Sequence, residues 1–85
     1  MWYVYFLRLN NDDVYVGSTN DLKRRIASHR AGDVLSTKAH LPTTLKSYVA
    51  VETEDRARAL EKYFKSGSGK AVALKRLIGR KPREE

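Results

Sequence analysis

Residues 2–9, WYVYFLRL, form a dense run of aromatic and β-branched types. A shorter run of the same kind recurs at Val14–Gly17, beyond the polar cluster NNDD at 10–13. Two such runs joined by turn-tolerant Asn and Asp predict an antiparallel β-hairpin. Period-two alternation puts Tyr3 and Tyr5 on one face and Trp2, Val4 and Phe6 on the other. Both sets are largely apolar, so a sheet covered on both sides is expected.

The pattern then changes period. Ser18, Thr19 and Asn20 offer capping oxygens and Asp21 suits the positive end of a helix. Leu22, Ile26 and Ala27 follow before Gly32 supplies a stop, which predicts a helix over roughly 21–31. Residues 33–43 carry Asp, Ser, Thr and Pro without a period and read as a loop. Leu45–Glu52 reads as a third strand, Thr53 as a cap, and Ala57, Leu60 and Phe64 as the apolar stripe of a helix over about 54–65. Lys65–Gly69 is expected to break that helix as a short connector, and Lys70–Ile78 to form a last helix before Gly79. The fold class that follows is α/β (α+β): a small three-stranded antiparallel sheet flanked by helices, in the order β-β-α-β-α-α. Residues 1–80 are expected to form one domain and residues 81–85 a polar tail.

Eighty-five residues suffice for one core. The chain has no cysteine, so disulfides and cysteine-based zinc sites are excluded. With 17 Lys plus Arg against 10 Asp plus Glu the formal charge is +7, which favours a polyanionic partner. From residue 62 to residue 83 the basic residues Lys62, Lys65, Lys70, Lys75, Arg76, Arg80, Lys81 and Arg83 occur with no acidic residue among them. That stretch, with Arg24, Lys38 and the backbone at Gly17, is the expected grip on nucleic acid. The N-terminal apolar run is about half the length that spans a bilayer and lacks a signal-peptide pattern, so no membrane and a cytoplasmic location are expected.

The chemistry rests on five side chains. Tyr5 and Tyr15 fall on adjacent strands, Arg25 and His29 share a helix face at i, i+4, and Glu61 sits on the later helix. YVY at 3–5, YVG at 15–17, LKRRIASH at 22–29 and LEKYFKSGSGKA at 60–71 stand in the order and spacing of the GIY-YIG nuclease superfamily, and the chain resembles its small single-domain members from Trp2 to about Ile78. The resemblance implies a DNA endonuclease, structure-selective in the absence of a base-reading domain, in a DNA-repair setting. It implies DNA in preference to RNA as substrate, one Mg²⁺ or Mn²⁺ ion on Glu61, and Tyr5 as the base with Tyr15 orienting water or phosphate. Arg25 would bind phosphate and His29 would assist proton transfer.

A phenol titrating near ~10 is a weak base at neutral pH, so Arg25 or the ion is expected to favour its ionised form. Two departures from the family pattern stand out. Tyr3 replaces the glycine of GIY, and residues 62–85 contain no Asn, leaving Ser66 or Ser68 as substitutes for the family's late asparagine. The alternative reading is a catalytically silent nucleic-acid-binding module with the same fold.

Overall fold

A computed structural model describes residues 1–79. Arg80, Lys81 and Arg83 of the basic stretch, and the polar tail expected at 81–85, lie outside those residues. The chain runs β1 (Trp2–Arg8), β2 (Val14–Thr19), α1 (Leu22–Arg30), β3 (Thr44–Val51), α2 (Glu54–Lys65) and α3 (Gly67–Val72), which widens into a π-helical segment over Ala73–Ile78. The sheet order is β2-β1-β3 with both pairs antiparallel, so the central strand is the first one made. In the hairpin Tyr5 lies opposite Gly17 and Leu7 opposite Tyr15, and Asp12 takes a positive φ of 69° in the Asn/Asp loop, as short polar side chains tolerate.

Alternation splits the core in two. Val4, Phe6 and Val16 face α2 and α3, where Ala57, Phe64, Ala73 and Ile78 meet them and the Phe6 and Phe64 rings pack edge to face at 5.0 Å. Tyr5, Leu7 and Leu9 face the other way and are covered by Ile26 of α1, with Leu22, Tyr15 and Leu45 closing round them. Helices therefore cover both faces, as the apolar alternation predicts.

Three boundaries differ from the sequence expectation, each for a physical reason. β2 continues through Ser18 and Thr19, because an edge strand accepts polar side chains that a pattern search takes for a loop. Asp21 itself caps α1, its carboxylate accepting from Arg24 N at 3.1 Å, so the oxygens of Ser18 to Asn20 are not the cap. The Gly-Ser-Gly segment is not a connector: one extended residue, Ser66, separates α2 from α3, and its hydroxyl accepts from Gly69 N at 3.2 Å. Any Cβ at Gly69 would run into the Tyr63 carbonyl, so glycine there allows the two helices to close at a tight corner.

Candidate active site

The site is built round the hairpin. Because Tyr5 and Tyr15 sit diagonally on one face of β1 and β2, their rings come within 6.2 Å of each other and within 5.5 and 5.1 Å of the His29 ring. His29 and Arg25 project from one side of α1 toward this pair. The Tyr5 hydroxyl contacts His29 Nε2 at 2.8 Å and accepts from Arg25 Nε at 3.3 Å. Gly17 explains its own presence in YVG: a Cβ there would lie 2.5 Å from Tyr5 Cζ, and nearer still to the hydroxyl. The glycine is buried under the phenol, which covers the backbone expected to approach nucleic acid there.

Behind His29 stands a residue that the sequence pattern left in a featureless loop. Thr37 Oγ1 lies 2.8 Å from His29 Nδ1 and 3.5 Å from the Val34 carbonyl, and both Thr37 and His29 are fully buried. With the threonine hydroxyl donating to Val34, its oxygen accepts from Nδ1–H. Nε2 then carries the lone pair and accepts the Tyr5 proton. A chain of hydrogen bonds therefore runs from Arg25 through Tyr5, His29 and Thr37 to backbone. Only a small polar residue just after α1 could have signalled this, and Thr37 shares that description with Ser36.

Burial dominates the electrostatics. The Tyr5 phenol is pushed up to about 12 by desolvation, which outweighs the hydrogen bond from Arg25. His29 is pushed down to about 4, by burial first and then by the Arg25 charge. Arg25 does favour the ionised form, as expected, but burial outweighs it: the phenol keeps its proton and the imidazole is neutral. With the phenol pushed up and the imidazole pushed down, proton transfer from Tyr5 to His29 at rest is uphill. Tyr5 is also wholly covered, with Arg25 over its oxygen, whereas Tyr15 and Arg25 are half-exposed.

Glu61 reaches the same strand from the opposite face of the sheet. Ser18, next to Gly17, points toward α2 and its Oγ donates to Glu61 Oε1 at 2.5 Å, while Lys65 Nζ pairs with Oε2 at 2.7 Å. The site thus straddles edge strand β2, and the Glu61 charge is felt at Tyr5, where it opposes ionisation. Burial works to raise the Glu61 carboxyl, but the hydrogen bonds from Lys65 and Ser18 overcome it, and it titrates below its ordinary value. It is an ionised hard oxygen donor at neutral pH. Among the described residues there is no group of three or more His, Cys, Asp or Glu side chains that could hold a metal ion. One carboxylate fits Mg²⁺, which takes few protein ligands and keeps water and phosphate oxygen in its shell.

The flanking cations divide. Arg24 and Arg25 share a polar recess with Thr19, Asp21 and Ser28. Lys65 and Lys70 line a hollow beside Tyr15, and Lys62 flanks Glu61 on α2. Lys38 is exposed one residue beyond Thr37. Lys75 and Arg76 are exposed on the π-helical segment, whose Ala73 reaches the hollow beside Tyr15 and which also packs against β3; neither lines that hollow. Ser66 is occupied as a helix cap and also donates to the Tyr63 carbonyl, so it does not stand in for the family's asparagine. Tyr3 packs edge-on against Tyr48. No helix among the described residues is long and apolar enough to cross a membrane.

Comparison with known proteins agrees with the motif reading. The family model described as the GIY-YIG catalytic domain matches residues 1–75. The UPF0213 protein SpyM50708 of Streptococcus pyogenes serotype M5 is 36% identical over 73 residues, covering 85% of this chain and 79% of that protein. The UPF0213 protein SPs0786 of S. pyogenes serotype M3 matches to the same extent. Among solved structures, the solution NMR structure of the UPF0213 protein BH0048 from Bacillus halodurans superposes with a TM-score of 0.59 at 28% identity, covering 94% of this chain and 89% of the other. Those names assign no activity.

Proposed function

The chain belongs to the GIY-YIG family, and from that premise we propose that it is a divalent-metal-dependent endonuclease hydrolysing DNA phosphodiester bonds, selective for structure rather than sequence. The observation that carries this reading is the hydrogen-bonded line from Arg25 through Tyr5 to a neutral His29, with an ionised Glu61 across the same strand. Arg25 binds a phosphate oxygen through its fork-shaped donor set, and in turning toward the substrate it uncovers the Tyr5 oxygen. A water then attacks phosphorus, forming one P–O bond as the ester P–O bond breaks. Its proton passes to the Tyr5 oxygen while the Tyr5 proton passes to His29 Nε2, so no free phenolate is needed and the uphill resting transfer is avoided. The leaving alkoxide takes a proton from solvent. When bound at Glu61, Mg²⁺ or Mn²⁺ supplies Lewis-acid stabilisation of charge on the phosphorus oxygens. Tyr15, at the exposed edge, orients water or phosphate.

Cleavage of single-stranded, duplex and branched DNA in Mg²⁺ or Mn²⁺ tests the reading, run beside Tyr5→Phe and Arg25→Ala. Loss of about 10²-fold or more in rate is expected from each. Activity that persisted unchanged in both variants would remove the site assignment. A second reading, a silent DNA-binding module, is favoured by the complete burial of Tyr5 and by the Lys65 ammonium already seated on Glu61. It predicts binding without metal-dependent cleavage of any substrate.

A further inference from the structure

α1 has nine residues and covers β1 through Ile26, with Tyr15 of β2 and Leu45 of β3 closing in, so on that face of β3 Tyr48 is left open. Between α1 and β3 runs a groove of roughly 920 Å³. Leu45, Tyr3 and Tyr48 form its floor, and Ile26, Lys23 and Arg30 of α1 its wall. Tyr48 is 53% exposed, unusual for a large aromatic on a strand whose other face carries the half-buried Val49 and Val51. Tyr3 packs against it edge to face, centroids 6.0 Å apart and planes at 72°, which props one ring against the other. Asn20 and Asp21 line both this groove and the recess that holds Arg24 and Arg25, so the two are continuous round the start of α1.

We propose that this groove binds an unpaired nucleic-acid strand flanking the phosphate held at Arg25, with Tyr48 stacking on a base and Lys23 and Arg30 contacting its backbone. The proposal rests on the nuclease reading for its connection to the site, but not for the binding itself. An aromatic ring beside two cations suits a single strand, because every base has a π-face and every linkage a negative charge. Asp21, the one acidic residue of the lining, is committed to capping Arg24 N. A second copy of the chain fits less well: a two-fold contact would set Lys23 and Arg30 of one molecule against the same residues of the other in a chain already at +7. The groove also gives structure selectivity a physical origin, since paired bases inside a duplex offer no free face to Tyr48.

Fluorescence anisotropy in EDTA, without divalent ions, tests this with a labelled single-stranded oligonucleotide and a blunt duplex of the same sequence. Tyr48→Ala is expected to weaken single-strand binding about tenfold and blunt-duplex binding by less than about twofold, while Tyr48→Trp restores single-strand affinity. Lys23→Ala should weaken the single strand as well. The proposal is overturned if Tyr48→Ala leaves single-strand affinity unchanged, if it weakens both probes equally, or if it converts a dimer of the free protein to monomer. Cleavage is silent in EDTA, so any of those results would leave the endonuclease reading standing, and failure of cleavage would leave this one.

Discussion

Acidification should unfold this protein through one buried ring. His29 has no exposed surface and titrates at about 4, against an ordinary 6.5, through burial and the neighbouring Arg25 charge. The unfolded chain therefore binds a proton in a pH range where the folded chain does not. Stability is intact above about pH 6.5 and is lost progressively as the pH falls from 6.5 toward 4. Across that window the loss is about 3 kcal/mol, taken at about 1.36 kcal/mol per pH unit. For a domain of this size it corresponds to a fall in Tm of roughly 12–24 °C. Glu61, whose carboxyl titrates below its ordinary value, adds a loss of the same sign but only as the pH drops through the carboxylate range. The assay is urea denaturation at a series of pH values for the native chain and for His29→Gln, which keeps a polar side chain but cannot titrate. Between pH 6.5 and 4.5 the native curve should fall and the variant curve stay nearly flat. Parallel curves, or an NMR titration of the His29 ring centred near 6.5, would refute the claim that the imidazole is held neutral to receive the Tyr5 proton.

Three further outcomes follow from the same geometry. Gly17→Ala places a methyl group against Tyr5 Cζ and should cost about 1–3 kcal/mol, read as a lowered Tm by circular dichroism; combining it with Tyr5→Leu should remove most of that cost, and an unaffected Tm would contradict the packing. Thr37→Val strands the buried His29 Nδ1–H and should cost about 1–3 kcal/mol and displace the acid limb of the pH–rate profile, whereas Thr37→Ser should restore both. Lys65→Ala and Lys70→Ala, beside Tyr15, should each lower the slope of log affinity for DNA against log salt by about one, whereas Lys75→Ala, which does not line that hollow, should change it least.

Much of the architecture is legible in the chain because its periods are clean: alternating aromatics make β1, the Asn/Asp cluster makes the turn, and the Ala57–Leu60–Phe64 stripe makes α2. What escapes is tertiary. A Gly-Ser-Gly string reads as flexible, yet Gly69 is helical because only a missing side chain lets it pass the Tyr63 backbone. Ser18 and Thr19 look like helix-capping residues, although both belong to β2, which Ser18 extends to meet Glu61. The five site residues could be named from motif spacing, but not their protonation, since spacing says nothing of how deeply Tyr5 and His29 are buried. Thr37 had no periodic context to mark it, and a run of charge does not say that Lys65 and Lys70 line the hollow beside Tyr15 while Lys75 and Arg76 do not.

The central claim is that Glu61 serves chemistry at phosphorus and not merely the ion pair with Lys65. Cleavage and DNA binding measured side by side for the native protein and Glu61→Ala, in Mg²⁺ and then in EDTA, test it most directly. Mg²⁺-dependent strand cleavage by the native protein is expected, with its loss in Glu61→Ala and retained DNA affinity in that variant. Native protein that binds DNA but cuts none of the substrates, or a variant that cuts as fast as the native chain, would contradict it.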